Sequence, residues 1–159
     1  MSYNRENAVA YAHQWAFKRN SRYLNFSGIG GDCTSFVSQC IHAGGAPMNF
    51  KKTFGWYYNS ANDRSPSWSG VQYFYNFLVN NKGVGPKGKD IALDQIEIGD
   101  VIQLSFDGYS YGHSLLVVEV GYPIDVSTVL IATHSDDSDY RPLFTYELAK
   151  KYRCLKIWV

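Results

Sequence analysis

The sequence predicts an α+β fold, with N-terminal helices packed on a mainly antiparallel sheet. Apolar residues recur at helical spacing through the first half of the chain, and short β-rich runs divided by Gly, Pro, Asp and Ser fill the second. Helices followed by strands, rather than alternating with them, is the order of an α+β chain and not of βαβ units. The 159 residues fit a single domain, 1–159. A chain of that size buries roughly 70% of the surface its unfolded form exposes, so a core needs no disulfide or metal.

Asn4 caps a first helix running to about residue 18, with Val9, Ala12, Trp15 and Ala16 on one face. A polar loop over 20–31 leads to a second helix that starts at Asp32 and stops before Gly44 and Gly45. Its apolar side carries Cys33, Phe36, Val37, Cys40 and Ile41. From 44 to 67 no period is evident, yet Phe50, Phe54, Trp56, Tyr57 and Tyr58 cluster there, and long irregular loops are commonly functional. Ser67 or Ser69 caps a third helix with Val71, Phe74, Tyr75 and Leu78 inward, closed by GVGPKGK. Strands follow at 101–106, 113–120, 128–134 and 154–159.

A formal net charge of +1 with scattered basic residues provides no field for a polyanion, so nucleic acid is not an expected partner. No apolar run approaches the roughly 20 residues of a membrane span, and the SYNREN start has no signal-peptide core. The expectation is a monomer without membrane partners. Localisation stays open, and an extracellular or wall-associated place would follow if the chain is a domain of a larger secreted protein. Three cysteines at irregular spacing fit neither a disulfide framework nor a CxxC zinc pattern.

The stretch GIGGDCTSFVSQ lacks the last glycine of GxGxxG and the GK[ST] of a P-loop, which sets phosphate binding aside. What it offers is an approach to a helix start where Asp32 caps and Cys33 takes the first helical position. Unpaired N–H groups there favour an anion, so Cys33 is placed to ionise, and the same donors would suit an oxyanion. Cys40 and Cys154 read as core residues.

A thiol nucleophile needs a base. His13 and His42 lie on helices away from Cys33, whereas His113 heads a strand with the apolar continuation SLLVVEV. In an antiparallel hairpin folded about a turn centred between Pro123 and Ile124, His113 faces His134, with Cβ atoms roughly 4.5–5.5 Å apart. His113 is then the base and His134 the group that orients its ring. A slip of two places would bring Asp136 up instead, and a slip of one would move His134 to the other face. A zinc site from Cys33, His113, His134 and a carboxylate is conceivable, but no spacing demands it. The acidic run Asp136, Asp137, Ser138, Asp139 reads as a solvated turn.

These blocks, GGDCTSFVSQCIHAGGAPM, GWYY, RSPSWSGVQYFYNFL, IGDVIQL, YGHSLLVV and HSDD, resemble the putative amidase domain family, a branch of the papain-like fold related to NlpC-type and CHAP-type cell-wall hydrolases. The resemblance runs from NRENAVAYA to the final strand. It implies a cysteine nucleophile at Cys33, a histidine base at His113 and a third polar residue at His134, with Asp136 the alternative. No glutamine precedes Cys33 nearer than Gln14, so the expected oxyanion donor is the Cys33 backbone N–H, helped by Asp32 or its neighbours. The implied activity is a cysteine amidase or peptidase acting on peptidoglycan or a related peptide through a thioester, with no cofactor and no metal. Trp56, Tyr57 and Trp68 are expected to wall the substrate. The competing expectation is a non-catalytic module of the same fold that binds cell-wall glycan or peptide.

Overall fold

The computed structural model describes residues 2–159. It is α+β, with all pairings of its main sheet antiparallel. Helix α1 spans Arg5–Trp15 and is capped by Asn4, whose side chain accepts the Asn7 N–H. Helix α2 spans Cys33–Ala43, and every residue from Cys33 to Ile41 is buried. A short α3, Pro66–Ser69, breaks at Gly70 into α4, Val71–Asn80. The single third helix of the sequence reading is therefore two, because extended backbone at Gly70 interrupts it.

Strands β1, Tyr58–Ser60, and β2, Asp63–Arg64, form a small hairpin in the aromatic loop. The main sheet holds β3, Lys87–Ile91, β4, Val101–Ser105, β5, His113–Val120, β6, Val129–Thr133, β7, Ser138–Pro142, and β8, Lys151–Trp158. Their spatial order is β3-β8-β4-β5-β6-β7. The helices cover one face, where Phe36, Val37, Cys40 and Ile41 of α2 meet Val101, Leu116, Ala132 and Leu155. On the opposite face Ile102, Leu104, Leu115, Val117, Ile131 and Cys154 close beneath Leu143. Both faces of the central strands are covered, which is why β4 and β5 read as apolar runs rather than alternating ones.

Besides the β1–β2 hairpin, two strands of the main sheet are absent from the sequence reading. β3 lies where a Gly-Pro stop was expected, and β7 begins inside the acidic run read as a turn. Both sit at sheet edges, where charge, glycine and proline replace the β-branched signal. Among the described residues, no helix is long and apolar enough to cross a membrane.

Candidate active site

The chain reaches α2 through a turn folded on itself, with the N–H groups of Ile29 and Gly31 both donating to the Phe26 carbonyl. Gly30 and Gly31 hold φ of +91° and +99°, a region that side chains avoid. Cys33 then opens α2, with its Sγ 3.8 Å from Thr34 Oγ1. His113 opens β5. The two line one cleft of about 630 Å³ with Gly30, Gly31, Phe106, Arg141 and Tyr146 among its walls.

Asp32 does not cap α2 with its side chain. Oδ1 instead accepts the Phe26 N–H at 2.8 Å, and Oδ2 meets His134 Nδ1 at 2.6 Å. The carboxylate is drawn away from the helix because a buried imidazole and a buried backbone donor both need it. The first-turn N–H groups of α2 are thereby left without that side-chain acceptor.

His134 does not reach His113. The β5–β6 pairing starts at Val120 with Val129, and a bulge between Val117 and Glu119 shifts it, so that Leu116 faces Ala132. Continued toward the strand ends, this register turns His134 to the helix face, the one-place slip that inverts a strand. There it stacks on Phe36 with ring centroids 4.1 Å apart, and Nε2 donates to the Trp15 carbonyl at 2.7 Å. A carbonyl only accepts, so Nε2 carries a hydrogen, and the 2.6 Å contact to Asp32 requires a second proton between Nδ1 and the carboxylate. His134 is thus a strut joining α1, the loop before α2 and the end of β6.

Thr133 takes the place expected of His134. Its Oγ1 lies 3.4 Å from His113 Nε2 and 2.9 Å from the carbonyls of Ser114 and His134. The hydroxyl hydrogen goes to one of those carbonyls, so the oxygen accepts from Nε2–H of His113, leaving Nδ1 as the basic atom. The only sequence signal for Thr133 was its place next to His134 in IATHSDD. Asp136 lies in the cleft wall with its side chain 90% exposed, and it pairs with Arg141 at 3.2 Å rather than with either histidine.

Trp56 and Trp68 are fully buried, their rings 4.9 Å apart, and Tyr57 is also buried. Trp56 Nε1 donates to Ser38 Oγ, which donates to the Trp68 carbonyl, so α2 ties the two residues into the core, while the buried Trp68 Nε1 has no partner among the described residues. None of the three lines the cleft. From the same loop Phe54 and Gly55, with Tyr73 of α4, border a separate groove of about 600 Å³.

Burial pushes the Cys33 thiol up, only partly opposed by the Ser114 N–H, the Thr34 hydroxyl and the Thr34 N–H directed at the sulfur. Burial, and then the Arg141 charge, brings His113 down to about 4. The resting couple at neutral pH is therefore a thiol beside a neutral imidazole, not the ionised cysteine expected from the helix start alone. Such a couple can act as nucleophile and general base if proton transfer accompanies attack. Among the described residues, no group of three or more His, Cys, Asp or Glu side chains is arranged to hold a metal ion. Cys40 and Cys154 are buried in the two cores, as expected for inert thiols.

A family model described as "Putative amidase domain" matches residues 2–157. The chain is 36% identical over 119 residues to "Uncharacterized protein YhbB" of Bacillus subtilis (strain 168), which covers 73% of this chain and 37% of that one. It is 25% identical over 99 residues to "Uncharacterized protein YjcM" of the same organism, which covers 62% of this chain and 22% of that one. The matches thus take in well under half the length of these curated relatives. No solved structure matches the chain.

Proposed function

The chain belongs to the family described as "Putative amidase domain", and from that premise we propose that it is a cysteine-dependent amidohydrolase. The observation that carries the reading is a helix-start cysteine and a strand-start histidine of fixed tautomer sharing one cleft. His113 Nδ1 takes the thiol proton as Cys33 Sγ bonds to the amide carbon. The carbonyl oxygen becomes an oxyanion beside the uncapped first-turn N–H groups of α2. When it collapses the C–N bond breaks, and the amine leaves with the proton from His113. Water, deprotonated by the same imidazole, cleaves the thioester to a carboxylic acid and restores the thiol.

The substrate we propose is an amide in peptidoglycan or a related peptide, and the architecture we propose is papain-like. Helices leading to a nucleophile and an antiparallel sheet delivering the base support that order of parts. The direct test is turnover of peptidoglycan fragments by Cys33→Ala, which we expect to fall to background while thermal unfolding stays near that of the parent. Cys40→Ala should instead lower stability by about 1 kcal/mol, the scale of a small core truncation. Normal turnover in Cys33→Ala ends the proposal.

The buried, un-ionised thiol is also what a non-catalytic module that binds cell-wall glycan or peptide would show. Alkylation separates the two. Labelling of Cys33 near pH 7 that slows when His113 is replaced by Ala supports the hydrolase, and labelling indifferent to His113 supports the binding module.

A further inference from the structure

Of the described residues that line the Cys33 cleft, one is a permanent cation, Arg141 on β7. Its guanidinium is held on several sides. Nε donates to Thr145 Oγ1 at 2.7 Å, Nη2 to the Thr145 carbonyl at 3.4 Å, and its Cζ lies over the Tyr146 ring, 3.8 Å from the ring centre. Among the described residues Nη1 meets only Asp136, whose carboxylate is 90% exposed and remains free to exchange its partner for water. A planar fork fixed on its Nε side, with Nη1 held by a solvated carboxylate, is suited to accept another carboxylate in its place.

We infer that the cleft takes an amide substrate bearing a free carboxylate close to the scissile bond, and that Arg141 is the residue that selects it. The inference rests on the hydrolase reading for the word substrate, while the carboxylate site rests on Arg141 alone. Asp136 and Glu147 also line the cleft, both exposed to solvent, so they weaken the field at Arg141 without neutralising the fork. A further consequence follows from Arg141 acting on His113. Burial first and then the Arg141 charge lower His113 while Asp136 raises it, so a bound carboxylate adds to the Asp136 effect and makes His113 a stronger base when the selected substrate is present.

The test uses N-acetyl dipeptides that differ only in a C-terminal carboxylate or carboxamide, with binding to the Cys33→Ala protein measured by calorimetry. The carboxylate peptide should bind about tenfold more tightly, the scale of a charge-assisted hydrogen-bonded pair. That ratio should fall to about twofold or less in Cys33→Ala with Arg141→Gln, and lie between the two with Arg141→Lys, which keeps the charge but not the fork. Equal binding of the two peptides, tighter binding of the carboxamide, no binding of either, or a preference that survives Arg141→Gln each overturns the inference. The peptide comparison in Cys33→Ala needs no change at Arg141, so a poorly folded Gln variant does not rescue it. Failure of the hydrolase reading looks different: the carboxylate preference is present, but no peptide bond is cut by the parent in a Cys33-dependent manner.

Discussion

His113 shows how a single side chain can be committed to one role by its surroundings. Thr133 accepts from Nε2, burial disfavours the imidazolium, and Arg141 opposes it further, so the ring is a neutral base down to a pH of about 4. In the proposed reaction the neutral form is the active one, so kcat/KM should be level from neutral pH down to about 5 and fall only as pH drops through about 4. An acid limb near 6.5, the ordinary histidine value, would contradict this assignment. Stability follows the same group. The unfolded chain binds this proton below its ordinary value and the folded chain only below about 4. Unfolding free energy should therefore decline as pH falls across that window, by roughly 3 kcal/mol in all. Replacing His113 with Phe should flatten that slope, as read by denaturant unfolding at several pH values.

The loop entering α2 places Cys33, and the bulge in β5 sets which residue of β6 adjoins His113, the two groups of the proposed reaction; the loop and the bulge differ in how far the sequence reveals them. The glycines of GIGGDC are legible as a turn, and the structure gives Gly31 a φ of +99° two residues before Cys33. Gly31→Ala should cost about 1–3 kcal/mol in backbone strain and lower kcat by more than it alters KM, because the sulfur moves with the turn. Gly28→Ala, at φ +81° and five residues away, should show the stability loss without a comparable loss of kcat. Equal kcat losses in both variants would mean that the turn does not set the position of Cys33. The bulge was not legible: one extra residue between Val117 and Glu119 leaves no mark in SLLVVEV, since both faces of β5 are buried. That residue decides that Thr133, rather than His134, adjoins His113. The edge strands β3 and β7 were hidden for a related reason, since edges favour the charge and proline that otherwise mark loops. Arg141 went unnoticed as a candidate with them. The Cys33 and His113 placements needed no register, only a helix start and a strand start, and so could be read directly.

At the scale of the whole molecule, α1 is pinned at both ends to parts of the chain far from it in sequence. At its C-terminal end the Trp15 carbonyl accepts from His134, which also holds Asp32 beside Cys33. At its N-terminal end Arg5 donates to Asp100 at 2.7 Å and to the Ile98 carbonyl at 3.0 Å, just before β4. Asp100 is fully buried and also accepts the Glu97 and Ile157 N–H groups, with Lys156 Nζ 2.9 Å away. One carboxylate therefore joins α1, the start of β4 and the end of β8. Asp100→Ala leaves the Glu97 and Ile157 N–H groups without their acceptor and takes one partner from a partly buried guanidinium that keeps Glu97 and the Ile98 and Ile157 carbonyls, a loss of about 2–4 kcal/mol. For a chain of this size each kcal/mol is worth roughly 2–4 °C in Tm, so Asp100→Ala should unfold on the order of 10 °C below the parent. Asp100 lies beside the Val101 end of β4, whereas His113 pairs with Leu104 near the other end. Activity measured well below the lowered Tm should accordingly stay within about twofold of the parent. A large loss of turnover in a variant still fully folded at the assay temperature would show that this anchor reaches the cleft, and that α1 transmits strain from one end of the sheet to the other.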